Sequence, residues 1–290
     1  MTPEQKQLIT ATVPILKEHG LQLTTHFYKR LFGGNPEFKN VFNQGNQQNG
    51  HQPMALATAV LAYAEHINDP SVLESALNRI GHKHTSLDIR PEHYAIIGRH
   101  LLASIGEVLG DAATPELLDA WSAAYAQLAH LMIGTEADLY AAQTEKPGGW
   151  TGWRPFVVKT KVQESDAITT FHLYPVDGGL VAEHLPGQYL SVRLFLPELN
   201  LLQPHQYRIA NAPNSSYYSI SVKREIGGGR IINDLFSSRL HDIVQVGDYI
   251  DVSAPAGVVS PKVGVPIETS HKKEIGSQTV TCPFQTGQFV

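Results

Sequence analysis

The sequence predicts a multi-domain α + β chain, an all-α first half followed by an antiparallel β-barrel, and three observations carry that prediction. The chain has 290 residues, 42% of them hydrophobic, which is enough to bury a core in each of roughly two domains. Up to residue 147, helix-start signals recur ahead of apolar residues spaced at 3.6. Beyond Lys146-Pro147-Gly148-Gly149 the chain turns to short runs rich in Val, Ile, Thr and Tyr. The domains are expected at 1–147 and 148–257, with a divergent tail at 258–290.

The first helix opens at Thr2-Pro3-Glu4-Gln5, where Thr2 can cap, Pro3 suits the first helical position and Gln5 completes a capping box. Helices are expected next around 20–33 and 52–66. Asp69-Pro70 announces a helix over 71–83 with Val72, Leu73, Ala76, Leu77 and Ile80 on one face. Another fits 91–109. Thr114-Pro115 then precedes a long pattern through Leu117, Trp121, Ala124, Leu128 and Leu131. Strands are expected at 154–162, 168–174, 188–195, 217–223 and 249–252. Over the fourth of these, Tyr218, Ile220 and Val222 alternate with Ser219, Ser221 and Lys223, the period of a half-buried strand. Several such strands between Gly and Pro turns indicate a small antiparallel barrel. The tail has weak periodicity and few large apolar residues.

Lys plus Arg number 22 against 27 Asp plus Glu, and the first 147 residues carry the whole imbalance, 10 basic against 15 acidic. A nucleic-acid binder needs a basic face, so that class is excluded. No stretch is long and apolar enough to span a membrane, and Met1-Thr2-Pro3-Glu4-Gln5 lacks the basic-then-apolar order of a signal peptide; a cytoplasmic location is expected. The single Cys282 permits neither an internal disulfide nor a Cys-rich zinc or iron–sulfur site. A metal would have to be held mainly by His or carboxylate. Fourteen histidines are available, nine of them before residue 148.

His84 follows the expected helix at 71–83 and comes 32 residues after Gln52, on a helix where Gln52, Leu56, Ala59/Val60 and Tyr63 share a face. Two helices so placed can sandwich a flat cofactor, one supplying a ligand and the other a lid. Spacing alone equally allows His84 to be an ordinary polar residue at a helix end. It gives His82 the same eligibility.

Short motifs in consistent order resolve this by likeness. His26-Phe27-Tyr28-Lys29-Arg30, Val41-Phe42-Asn43, Gln52 with Leu56, Lys83-His84-Thr85-Ser86, Pro91-Glu92-His93-Tyr94 and Glu136-Ala137-Asp138-Leu139-Tyr140 resemble the globin domain of bacterial flavohaemoglobins, the nitric oxide dioxygenases. The resemblance covers residues 1 to about 257 and implies a globin fold holding haem b. It implies that His84 is the proximal iron ligand, backed by Tyr94 and Glu136. A carboxylate accepting the ring N–H would orient the imidazole and raise its electron donation. Lys83 would tune the same site, with a solvated helix-end lysine as the alternative. The resemblance sets Tyr28 and Gln52 over the sixth iron position, with Leu56 narrowing access and Phe42 packing on the porphyrin. A phenol there donates a hydrogen bond where negative charge gathers on oxygen.

In the second half, Gly148-Gly149-Trp150, Pro175-Val176-Asp177-Gly178-Gly179, Pro186-Gly187-Gln188-Tyr189 and Ser221-Val222-Lys223-Arg224-Glu225 are similar to the family's FAD-binding barrel of the ferredoxin-reductase type. Tyr189 belongs to that likeness. The family's flavin motif reads Arg-x-Tyr-Ser, whereas this chain has His205-Gln206-Tyr207-Arg208, in which Tyr207 alone matches the three functional positions. Arg208 restores a positive charge but on the neighbouring face of a strand. After Gly227-Gly228-Gly229 the family's Val-Ser gives way to Arg230-Ile231, removing a hydroxyl from the helix start that would bind pyrophosphate. Past Ser253-Ala254-Pro255-Ala256-Gly257 only 33 residues remain, about one βαβ unit at ~30 residues, with no Gly-rich phosphate turn opening a helix, so no NAD(P)H site is expected in this chain.

The implied partners are O2 and NO, with an external reductase supplying electrons for nitric oxide dioxygenation. The competing expectation is a haem module that binds or senses O2 and NO stoichiometrically, carrying a vestigial flavin barrel.

Overall fold

The computed structural model describes residues 1–224 and 232–258 of the chain. The Gly227-Gly228-Gly229 run with Arg230 and Ile231, and residues 259 to 290 with Cys282, lie outside the described residues.

Helices come first. Helix α1 (Pro3–Ala11) starts on the expected capping box, with Gln5 N–H donating to Thr2 Oγ1 and Thr2 N–H to Gln5 Oε1. Helix α2 (Val13–Gly34) begins at once, seven residues ahead of expectation, because Pro14 is tolerated in a first turn and does not delay the start. A 3₁₀ turn (Pro36–Asn40) and the five-residue α3 (Gln44–Gln48) follow, then α4 (His51–Glu65). Asp69-Pro70 caps a 3₁₀ turn (Pro70–Leu73) before the α-helix α5 (Glu74–Ser86) begins. The expected helix thus starts later and runs further than 71–83, and His84 lies inside its last turn instead of beyond it. Helix α6 (Pro91–Leu109) and the 31-residue α7 (Pro115–Glu145), capped by Thr114, complete this part. Phe27, Leu31, Phe38, Tyr63, Ile105 and Trp121 are at its buried centre. Among the described residues no helix is long and apolar enough to cross a membrane.

Six antiparallel strands follow: β1 (Trp153–Gln163), β2 (Ile168–Pro175), β3 (Tyr189–Leu196), β4 (Leu201–Arg208), β5 (Tyr218–Lys223) and β6 (Tyr249–Ser253), with helix α8 (Ile232–Asp242) before the last. They form one sheet in the order β4-β3-β6-β1-β2-β5, curled into a half-barrel. Its two edges meet just past β4, where Ile209 bridges Ile220 and Ala210 N–H donates to Ser219 O at 2.8 Å. Phe156, Phe171, Leu190, Val192, Ile220 and Val222 point inward, and Phe236 and Leu240 of α8 close the same core.

Strand β4 was not among the expected strands. Its sequence, Leu-Leu-Gln-Pro-His-Gln-Tyr-Arg, has no apolar alternation, and Pro204 lacks a ladder N–H. Proline is admitted because β4 is an edge strand of the sheet.

Candidate functional site

Helix α5 packs closely on α7 at Gly81, where a Cβ would meet Leu139 Cδ1 and Thr135 Cγ2 at 3.2 Å. One turn on, His84 Nδ1 sits 2.6 Å from Glu136 Oε1 and 3.1 Å from the Tyr94 hydroxyl. Tyr94 itself donates to Glu136 Oε1 at 2.6 Å, and Glu136 is almost fully buried. Because a carboxylate can only accept, the proton belongs on Nδ1 and the lone pair of Nε2 is left free. Nε2 makes no hydrogen bond among the described residues. Burial, and then the bond to Glu136 and its charge, push the Tyr94 phenol well up, so it stays a donor. Helix α6 is held in place by Tyr125, whose hydroxyl donates to Tyr94 O at 2.6 Å.

His82 lies two residues earlier, about 200° around the helix, and its ring makes no hydrogen bond or ion pair with a carboxylate or phenol among the described residues. Its ring is pushed down by burial and then by Lys146 at the far end of α7. Lys83 is not a solvated helix-end lysine: its Nζ donates to Gln206 Oε1 of the half-barrel, and burial lowers it to about 8. Gln206 Nε2 donates to Ser191 Oγ, Ser191 Oγ to Ser86 Oγ, and Ser86 Oγ to Lys83 O, so a closed polar ring joins α5 to strands β3 and β4.

On α2, Tyr28 is 6% exposed, edge-on to Phe42 at 5.6 Å and to Phe27 at 4.9 Å. Burial raises its phenol well above the usual range, against the pull of the Gln52 and Gln47 amides beside it. Gln52 is on α4, and Leu56, one turn on, packs against the helical core. The same helix continues to Val60 and Tyr63, which line a small apolar cavity with Leu101, Ile105 and Trp121.

Gln47 was missed from sequence. It sits in α3, whose residues Gln-Gly-Asn-Gln-Gln carry no hydrophobic periodicity; the one local signal is Asn43, whose Oδ1 caps Asn46 N–H. Gln47 Nε2 is buried and finds no hydrogen-bond partner among the described residues. An imidazole nitrogen held ready to ligate and a buried amide awaiting an acceptor suit a ligated metal with a small polar ligand. The residues present therefore fit haem.

The flavin-type motif falls on β4. His205 and Tyr207 pack on the barrel core, while Arg208 is exposed and Gln206 reaches Lys83, the alternation of a strand. His205 stacks on Phe236, ring centroids 3.9 Å apart, and its Nε2 is buried with no hydrogen-bond partner among the described residues. Burial, and then the charge of Lys83, lower it to about 3, so it is neutral and brings no charge to a phosphate. Tyr189, on β3 opposite Arg208, is buried, and its phenol is pushed up to about 12.

A globin-type helical unit built around a carboxylate-backed histidine, joined to an antiparallel half-barrel of the flavin-reductase kind, is the class that this fold and site define. The globin family matches residues 25–132. The flavohemoprotein of Bordetella pertussis is 57% identical over 258 residues, covering 89% of this chain and 63% of the relative. That of Chromobacterium violaceum is 52% identical over 257 residues, covering 89% and 64%. Among solved structures, the flavohemoglobin of Malassezia yamatoensis with bound FAD and heme matches with a TM-score of 0.78 at 26% identity, over 89% of this chain and 65% of that one. Over 89% of its length, across both the helical unit and the half-barrel, the chain is similar to these flavohaemoproteins. It spans somewhat under two thirds of the length of these relatives.

Proposed function

We propose that the chain is a haem protein of the nitric oxide dioxygenase type, converting nitric oxide, dioxygen and one electron to nitrate. Residues 1–147 act as its haem unit and 148–257 as its flavin unit, in the cytoplasm, with an external reductase as electron source. The observation that carries the reading is the 2.6 Å contact of His84 Nδ1 with Glu136, which fixes the tautomer and presents Nε2 as the ligand. When bound, haem supplies the redox-active iron at which the two gases react.

The protein's own work lies around that iron. Glu136 accepts the His84 Nδ1 proton and keeps the imidazole electron-rich, while Tyr94 holds the carboxylate oriented. Tyr28, kept protonated by burial, would donate a hydrogen bond to a ligand held at the iron, with the neighbouring Gln52 and Gln47 amides orienting that phenol. Phe42 and Leu56, which pack on the helical core, would exclude water from the haem and pack against it. Lys83 ties the helix bearing His84 to the flavin strand. FAD is the implied second cofactor, with Tyr189, His205, Gln206, Tyr207 and Arg208 as its neighbours.

The neutral, Phe236-covered His205 favours a second reading, a stoichiometric O2- and NO-binding or sensing module with a vestigial barrel. One preparation distinguishes the two. Haem-loaded protein is incubated with FAD, desalted, and assayed for nitric oxide consumption with a ferredoxin-reductase-type donor and with NADH alone. Retained flavin with donor-dependent turnover supports the dioxygenase. Absent flavin with a single stoichiometric uptake of nitric oxide supports the module.

A further inference from the structure

We infer that Gln203, in the half-barrel, is a positioning residue for the distal side of the haem site; the inference rests on the haem reading above. Gln203 has no exposed surface, yet its amide makes three hydrogen bonds. Oε1 accepts Gln44 N–H at 2.9 Å, while Nε2 donates to Lys39 O at 2.9 Å and to Leu202 O at 2.8 Å. Two of these reach across about 160 residues into the helical unit. Its neighbours join in: Leu202 N–H donates to Asn40 Oδ1 at 2.8 Å, and Asn43 Nδ2 donates to Pro204 O at 3.3 Å. The edge strand β4 therefore grips the segment 39–44.

That segment needs the grip. Phe42 is within it and α3, with Gln47, hangs directly from it. A helix of five residues lacks the length to sustain itself, since nucleation is unfavourable and few bonds follow it. Gln44 N–H is the first of the helix-start donors that no intrahelical carbonyl can reach. Asn43 satisfies the donor of Asn46, and Gln203 satisfies that of Gln44. Two groups that bear on Tyr28, the Phe42 ring and the Gln47 amide, are thus seated by a side chain of the strand that carries the flavin-type motif. Among the described residues no hydrogen bond links His84, Tyr94 or Glu136 to this grip, and the segment meets their side of the site only through Val41, which packs on the cluster holding Tyr94.

The test uses the full chain loaded with haem, in three variants. Gln203→Ala removes the grip. Gln44→Pro deletes the N–H that Gln203 accepts from, together with the side-chain amide that donates to Phe42 O and Lys39 O: proline suits the first helical position, and Asn43 already has the extended backbone, φ −62° and ψ 110°, that precedes a proline. Gln44→Ala controls for the lost Gln44 side chain. The C–O stretching band of the carbon monoxide complex reads the distal side, and the Fe–His stretching band of the ferrous form reads His84. Gln203→Ala and Gln44→Pro are expected to shift and broaden the C–O band and to speed oxygen loss about fivefold, the worth of one displaced hydrogen bond, with the Fe–His band unmoved; Gln44→Ala, which loses the side-chain bonds but keeps the N–H, is expected to disturb the C–O band less than Gln44→Pro, and an equal disturbance in the two overturns the inference. An unchanged C–O band in both variants overturns the inference. So does an equal disturbance of both bands, which indicates general loosening. Should Gln203→Ala not fold, Gln44→Pro decides alone. Wild-type protein without an Fe–His band contradicts the haem reading itself.

Discussion

His84 shows how much one side chain's chemistry depends on the atoms behind it. With Glu136 accepting at 2.6 Å, its ring has one proton placement and one free nitrogen. Glu136→Gln replaces a charged acceptor by a neutral one, and the Fe–His stretching frequency is expected to fall; an unmoved band would remove the carboxylate from the site's electronics. On Tyr28, Phe substitution deletes the phenol O–H while keeping the contacts with Phe27 and Phe42. Oxygen is expected to leave faster by the equivalent of about 1.5–3 kcal/mol, the cost of one hydrogen bond to a charged acceptor. An unchanged off-rate would exclude Tyr28 from ligand stabilisation. His205 makes the pH argument. Its ordinary value of 6.5 is lowered to about 3 in the folded chain, so between those values the unfolded chain binds a proton that the folded chain refuses. Stability should therefore decline as pH falls from about 6.5 toward 3, with no contribution from this group above that window. His205→Phe keeps a ring against Phe236 and removes the titration, and its melting temperature should fall less steeply with acid. An identical acid limb would contradict the assignment.

Among the elements, those announced by side-chain chemistry were legible in sequence. Thr2, Asp69 and Thr114 cap the turns they precede, and Pro3, Pro70 and Pro115 follow them as first-turn prolines. What sequence concealed were elements sustained by partners distant in the chain. Strand β4 is polar and interrupted by Pro204, and α3 is five residues of glutamine, asparagine and glycine; β4 is held by its ladder with β3, and the start of α3 is tied to β4 through Gln44 N–H and Gln203. Gln47 and Gln203 were unreadable for the same reason. The choice of His84 over His82 was likewise closed to periodicity, because it turns on Glu136, 52 residues away. Close approach between helices is visible only in space as well. A Cβ on Gly98 would lie 2.3 Å from Tyr125 Cε1, and that tyrosine's hydroxyl anchors Tyr94. Gly98→Ala should accordingly destabilise the helical unit by about 1–3 kcal/mol, despite alanine's better helix propensity. A melting temperature at or above that of wild type would show that the ring moves aside freely.

At the scale of the whole molecule, the half-barrel holds both regions proposed to line the haem with one strand. Leu202, Gln203 and Pro204 grip the segment that leads to Gln47, and Gln206 meets Lys83 beside His84. The flavin-type motif and the proposed haem site are thereby parts of one hydrogen-bonded frame. Function on this scale rests on the histidine that the frame surrounds. The most direct measurement is the haem content and ferrous carbon monoxide spectrum of wild-type chain and His84→Ala, loaded and desalted side by side. Stoichiometric haem in the wild type, lost in His84→Ala, is the predicted result. Haem retained undiminished in His84→Ala, with an unaltered spectrum, would contradict the account and send the search for the iron ligand elsewhere in the helical unit.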